Sequence, residues 1–153
     1  MARMIFVNLP VTDVVASTAF YESLGFPKNP MFSDKNTSCI IISEHIYVMI
    51  MMRDTFQGYM PKEPVEKTIC DAKTSTETLL CLSCERKEEV DELVEKAGKG
   101  GGRMDTTKSQ EMERMYGRSF EDLDGHVWET VWMDMAAFEK EQEGCPAKQC
   151  GGT

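Results

Sequence analysis

The stretch HVWETVWM, residues 126–133, reads as a strand, and what its two faces carry decides the fold. With side chains alternating, Trp128 and Trp132 share one face while Glu129 shares the other with Val127, Val131 and Met133. A carboxylate among apolar neighbours costs on the order of several kcal/mol unless it is paired, hydrogen-bonded or neutralised. Glu129 therefore implies a metal, a basic side chain or a ligand beside it. The strand before it, residues 115–121, joins it through Asp122-Leu123-Asp124-Gly125, a run of turn-forming residues. If Asp122 and Gly125 close that turn, Arg118 stands opposite Glu129 on the same face, at roughly 5 Å between Cβ atoms, and is its expected partner.

Outward from this hairpin the chain reads as two similar halves. Residues 4–9 (MIFVNL) form a strand, 12–24 a helix opened by Thr12 or Asp13 and closed by Gly25, and strands follow near 37–43 and 45–52. In the second half 77–84 (ETLLCLSC) is a strand and 86–97 a helix with Val90, Leu93, Val94 and Ala97 on its apolar face. Residues 98–102 terminate that helix, and strands 114–121 and 126–133 close the unit. The order strand, helix, strands thus occurs twice, with Phe6 set against Leu79. This gives a first module (1–52), a helical connector (53–75) with a helix expected from Pro64 to Lys73, a second module (76–134), and a flexible C-terminal tail (135–153) that begins as a short acidic helix. Residues 104–113 lack strand alternation and read as a mobile loop beside the site.

With 153 residues, 41% of them hydrophobic, the chain can build one core. A net charge of -9 argues against nucleic-acid partners, whose phosphates are bound by clustered Lys and Arg. No segment approaches the ~18 apolar residues of a membrane span, and the start lacks a basic stretch followed by an apolar run, so a cytoplasmic protein is expected. Six cysteines form no framework. Cys81 and Cys84 have CxxC spacing, but in a strand they face opposite sides. Cys39 and Cys70 read as small core hydrophobes, and Cys145 and Cys150 lie in a Gly-rich tail without a nearby His.

Three motifs in order carry a resemblance. Phe6-Val7-Asn8-Leu9-Pro10-Val11-Thr12-Asp13, followed by Ser17, Phe20-Tyr21 and Leu24-Gly25-Phe26, resembles the opening of the vicinal oxygen chelate superfamily, which includes glyoxalase I, fosfomycin- and bleomycin-resistance proteins and extradiol dioxygenases. Residues 85–97 resemble its second-half helix, and residues 120–129 (FEDLDGHVWE) its closing motif. The resemblance spans about residues 4–134. It implies an α+β fold of paired βαβββ modules whose curved mixed sheets form a cleft, often completed by a homodimer. In metal-using members the ligands come from the first strand of each module and from the last strands. Carried onto this chain, those positions are Phe6, Leu79, Val48 or Met49, and Glu129, of which only Glu129 keeps a ligating side chain.

One glutamate does not hold a divalent cation, which needs three or more N, O or S donors. The leading expectation is therefore a small-molecule-binding protein without a metal cofactor, whose cleft carries Phe6, Asn8, Leu79, Cys81, Tyr116, Arg118, Phe120 and Glu129. The alternative is a metal-dependent lyase, isomerase or dioxygenase of glyoxalase type, with Glu129 as catalytic residue and the missing ligands supplied by other side chains or a partner chain. His45 and His126 sit at turns and add little to either reading. Met49, Met51, Met52, Met60, Met104, Met112 and Met115 gather around the connector and loop, as core filling or as an adaptable wall for a ligand.

Overall fold

A computed structural model describes residues 2–143. The first half runs β1 (Ile5–Val11), α1 (Val14–Ser23), β2 (Lys28–Asn29), β3 (Thr37–Ile41) and β4 (Ile46–Met52). The second runs β5 (Leu80–Cys84), α3 (Lys87–Lys99), β6 (Arg103–Met104), β7 (Gln110–Met112), β8 (Met115–Glu121) and β9 (Val127–Met133). Between them lies α2 (Arg53–Tyr59), and α4 (Met135–Glu143) follows. The sheet orders are β1-β4-β3-β2 and β5-β9-β8-β6, with β7 also on β8. In each sheet the first strand pairs in parallel with the last, and the remaining pairs are antiparallel. These are two open mixed sheets of βαβββ topology, the α+β architecture expected. The sequence pattern did not reveal β2, β6 and β7, because two or three residues are too few to show alternation. Residues 104–113, read as a loop, contain β7 and lie along the edge of β8.

Local chemistry starts and stops the helices. Asp13 caps α1, its carboxylate accepting from Ala16 N at 2.9 Å, and Gly25 leaves the helix at φ 98°, where a side chain would be strained. In α3, Glu88 and Glu89 occupy the first turn and Lys96 and Lys99 the last, each charge complementing the nearer end of the helix dipole. Both modules bury their helix-bearing faces in one core. Val11, Phe20, Tyr21, Val48 and Ile50 belong to the same cluster as Val90, Val94, Phe120 and Trp128. The Phe120 and Trp128 rings stack at 6.2 Å, and Tyr21 meets Trp128 edge-on at 6.0 Å.

The turn between β8 and β9 bolts the two modules together. Buried Asp122 accepts from Tyr21 Oη at 2.6 Å, His126 N at 2.9 Å and Asp124 N at 3.0 Å. Burial holds the Asp122 carboxyl above the usual carboxylate range, and burial beside this acid pushes the Tyr21 phenol well up. Asp124 accepts from Thr12 N at 2.9 Å, from Thr12 Oγ1 at 2.8 Å and from Ser17 Oγ at 3.3 Å. His126 Nε2 lies 2.8 Å from the Pro10 carbonyl oxygen, so it donates to β1.

The same turn corrects the expected register. Asp122 N bonds to His126 O at 3.0 Å and Gly125 N to Asp122 O at 3.2 Å, so the loop holds three residues, with Gly125 at φ 92° in the left-handed position. One extra loop residue shifts the pairing by one: Arg118 stands opposite Thr130, and Ser119 opposite Glu129. A shift of one places Arg118 on the other face of the sheet from Glu129.

Two further expectations change. No helix spans Pro64 to Lys73; the connector helix is α2, earlier in the chain. The β-branched pair Thr68-Ile69 disfavours a helix there, the Gln57 side chain donates to Lys67 O at 3.0 Å, and Asp71 accepts from Lys73 N at 3.0 Å to form a turn. Cys70, read as a core residue, is exposed, whereas Cys39 is buried. Cys81 and Cys84 do face opposite sides, one exposed and one buried, and all four are free thiols. Of the expected flexible tail 135–153, the first part is α4, and the rest, with Cys145 and Cys150, lies outside the described residues. Among the described residues no helix is long and apolar enough to cross a membrane.

Candidate ligand-binding hollows

Each sheet has one face covered by helices α1 and α3 and one face free of them. On the first sheet that free face carries Phe6 and Asn8, directly beside Tyr47 and Met49 across the parallel β1–β4 pair. The Phe6 and Tyr47 rings stack at 5.0 Å. α2 follows β4 without a loop and folds back, setting Phe56 and Tyr59 over the sheet. Together with Met49 and Met51 of β4, Phe32 from the turn after β2, and Met60 and Pro61 beyond α2, these residues enclose a hollow of about 630 Å³. Its walls are rings, thioethers, the Asn8 carboxamide and the Tyr59 phenol, with no Asp, Glu, Lys, Arg or His among them. A second cavity of about 400 Å³ adjoins it at the module boundary, sharing Asn8, Phe56, Met60 and Pro61 and adding connector residues with Leu80, His126 and Val127.

The free face of the second sheet is built differently. Cys81 stands beside Glu129 across the parallel β5–β9 pair, the position that Asn8 holds beside Met49 in the first sheet. Glu129, half-buried, lines a hollow of about 270 Å³ with Cys81, Met115, Gly117, Val131 and Met133. Thr107, Lys108 and Gln110 wall it from the segment carrying β7, which Thr107 N ties down by donating to Ser119 Oγ at 2.8 Å. Partial desolvation and the adjacent Glu129 carboxylate raise the Cys81 thiol above its usual value.

Of the eight residues expected to share one cleft, Phe6, Asn8, Cys81, Glu129 and Arg118 line one of the two hollows, Leu79 lies beside them, and Tyr116 and Phe120 reach neither; Arg118 edges the second hollow although its side chain belongs to the other face of β8. Phe6 and Asn8 line the first hollow and Cys81 and Glu129 the second, and the two hollows have no lining residue in common. Leu79, just before β5, is half exposed and lines neither. Tyr116, Arg118 and Phe120 alternate with Gly117 and Ser119 along β8, so their side chains point to the α3 side. Phe120 is fully buried in the core, and Tyr116 Oη donates to Asp91 Oδ1 at 2.8 Å.

Arg118 is fully engaged there. Its Nε and Nη2 donate to the two oxygens of Asp105 at 2.9 and 2.8 Å, and its Nη1 donates to Asp91 Oδ1 at 2.8 Å. These bonds hold the Asp91 and Asp105 carboxyls below their ordinary value and raise the guanidinium further above its own. The expected Arg118–Glu129 pair is thus replaced by an Arg118 clamp between α3 and the start of the β7 segment. Glu129 instead faces a solvent-connected hollow, where water can share its hydration.

The donor set at the resemblance-derived metal positions is a benzyl group (Phe6), a thioether (Met49), an isobutyl group (Leu79) and one carboxylate (Glu129). Among the described residues no three His, Cys, Asp or Glu side chains lie together as a metal site. Neither set matches the three or more hard or borderline donors that a zinc, iron or manganese ion requires. Sequence reading missed Phe32, Phe56, Tyr59 and Pro61 in the first hollow; for the second it placed segment 104–113 beside the site without naming Thr107, Lys108 and Gln110, which line it. Phe56 and Tyr59, three apart in a short connector, were the available signal for a helix laid over the site.

Comparison with known proteins gives the same architecture. Residues 3–130 match the family described as the Glyoxalase/Bleomycin resistance protein/Dioxygenase superfamily. The chain is similar to hypothetical protein SA1046 from S. aureus, with 29% identity over 86% of this chain and 95% of that one, at a TM-score of 0.68. It is also similar to a glyoxalase/bleomycin resistance protein/dioxygenase family enzyme from Burkholderia phytofirmans PsJN, with 19% identity over 86% and 99% of the two chains, at a TM-score of 0.69. A third likeness is to the fosfomycin resistance protein FosX from Listeria monocytogenes, with 17% identity over 89% and 97%, at a TM-score of 0.60. The last two share the fold alone with this chain. No curated protein matches it.

Proposed function

The chain belongs to that superfamily, and from this premise we propose that it binds a small molecule in the apolar hollow of its first sheet, without the divalent metal used by other members. One observation carries the reading: where a metal-using member has a donor on its first strand, this chain has Phe6, and Phe6 is a wall of a ring- and thioether-lined hollow of about 630 Å³. That volume lies within the usual range for small-molecule sites, which are mostly apolar with few polar groups. Met49, Met51 and Met60 supply flexible, polarisable walls that adapt to an irregular ligand. The alternative, a metal-dependent lyase, isomerase or dioxygenase using Glu129, finds one carboxylate in a separate hollow and lacks the remaining donors.

We also propose a homodimer. Met4, Ile5 and Leu79 are left uncovered in one chain, apolar surface that a second copy would cover.

Elemental analysis of protein purified without chelator, together with calorimetric titration of small aromatic compounds before and after chelation, tests the reading. The expected result is no stoichiometric zinc, nickel, iron or manganese, and ligand binding that survives chelator and Glu129→Ala but is lost in Met51→Glu. Near-unit metal whose removal abolishes binding would overturn it.

A further inference from the structure

We propose that the first-sheet hollow selects uncharged, flat aromatic molecules, held between ring and thioether walls and oriented by a single hydrogen bond to the Asn8 carboxamide. This rests on reading that hollow as the binding site and adds the class of ligand. Three observations on the molecule converge on it.

The first is charge. The walls contain no Asp, Glu, Lys, Arg or His, so a charged group taken inside would lose its hydration without gaining a counter-ion. The second hollow, by contrast, has Lys108, Arg118 and Glu129 in its wall, so the absence of charge is a property of one site and not of the free faces in general.

The second is the state of the rings. Phe6, Phe32 and Tyr59 are 45%, 57% and 78% exposed, yet all three edge the same hollow. Uncovered aromatic faces gathered around one concavity gain most from a partner that is itself flat and apolar, through offset or edge-on ring contacts. Thioethers at Met49, Met51 and Met60 favour the edges of such a ligand.

The third is polarity. The polar side chains of the wall are the Asn8 carboxamide and the Tyr59 hydroxyl, and Tyr59 is 78% exposed, so a ligand with one N–H, O–H or carbonyl is oriented by Asn8 on the sheet and one with several polar groups leaves most of them unpaired.

N-phenylnaphthylamine and anilinonaphthalene sulfonate share a ring skeleton and an N–H and differ by one sulfonate, which makes them the probes for fluorescence titration of the full chain. The neutral probe is expected to bind saturably, and the sulfonate about 30-fold more weakly or worse. That ratio is expected to persist at high salt, because it comes from the wall and not from the long-range field of a chain of net charge -9. Phe56→Ala is expected to weaken the neutral probe about 10-fold, and Asn8→Leu, at an exposed position that tolerates the change, about 5-fold. Met49→Lys is expected to invert the preference, and Lys108→Ala with Glu129→Ala to change neither affinity. If the sulfonate binds wild type as well as the neutral probe and Phe56→Ala weakens both, the hollow is a site but the proposed class is wrong. If neither probe responds to Phe56→Ala or Asn8→Leu, both the class and the underlying reading of the hollow fail.

Discussion

Replacing Arg118 with Met tests the corrected register of the β8–β9 hairpin. The substitution keeps most of the side-chain volume in place but deletes three charge-assisted hydrogen bonds, two to Asp105 and one to Asp91. Breaking a fully buried ion pair costs about 3–5 kcal/mol, because the stranded charge cannot rehydrate. Here the guanidinium is 18% exposed, while the carboxylates left behind are 42% and 46% exposed and can recover water. The expected loss is therefore about 1–2 kcal/mol, or roughly 2–8 °C in Tm for a chain of this size. The pH dependence has a definite sign. Both carboxyls are depressed in the folded state, so their contribution is complete above the unfolded aspartate value of about 3.9 and is lost as pH falls through the lower folded values. The penalty for Arg118→Met should accordingly be constant near neutrality and shrink below about pH 4. Chemical denaturation of a double-mutant cycle with Asp105→Asn should show coupling of about 1 kcal/mol, whereas a cycle with Glu129→Gln should be additive within about 0.5 kcal/mol. Coupling above about 1 kcal/mol between positions 118 and 129 would refute the three-residue loop and the face assignment built on it.

Other measurements probe the rest of the design. Gly125→Ala should cost roughly 2 kcal/mol or more, since the new Cβ would sit 2.8 Å from Lys73 N at a φ of 92°; a variant as stable as wild type in urea would contradict the turn. Tyr21→Phe removes a donor to buried Asp122 and the acceptor of Trp128 Nε1, and should lower stability by about 2–3 kcal/mol, with no change counting against the staple. Glu129→Gln should lower the Cys81 thiol value and speed its alkylation at fixed pH, while Cys84, pushed up to about 11 chiefly by burial, stays slow; an unchanged Cys81 rate would separate the two side chains. Sedimentation at micromolar concentration should give twice the 17.3 kDa chain mass, and a monomer would sink the proposed dimer.

The fold was legible because its signals are local and repeated. Asp13 and Gly25 bracket α1, and Val90, Leu93, Val94 and Ala97 mark one face of α3 over about two turns. The site was only partly legible, because it depends on quantities that alternation does not encode. Whether Asp122-Leu123-Asp124-Gly125 makes a two- or three-residue loop is set by the left-handed conformation of Gly125, and that one residue decides the face of Arg118, Tyr116 and Phe120 relative to Glu129. Gly125 was the available signal, since a type I turn followed by a left-handed glycine is a common three-residue hairpin. Val65, Ile69 and Ala72 have helical spacing, yet the connector is not helical there, because β-branched residues and side-chain hydrogen bonds to the backbone win over a weak apolar period. The walls supplied by Phe56 and Tyr59 come from the connector, outside the repeat, and Phe32 from a turn within the first module, so comparing the two halves gives no guidance there.

The closing motif also shows why family resemblance and site chemistry separate in this chain. Of residues 120–129, Phe120 and Trp128 fill the core, and Asp122, Asp124 and His126 are consumed by bonds to Tyr21, Thr12, Ser17 and the Pro10 carbonyl. These groups fix how the second module sits on the first, a requirement of any paired-module fold whatever it binds. In the second half of the motif Glu129 lines the second-sheet hollow and His126 and Val127 the cavity at the module boundary, while the residues that shape the largest described hollow lie mainly on β1, β4 and α2. The folding role of the motif therefore does not depend on what stands at the first-strand position, which in this chain is Phe6. On the proposed reading the ligand would be chosen by the connector helix and the methionines of β4, groups that the staple does not use.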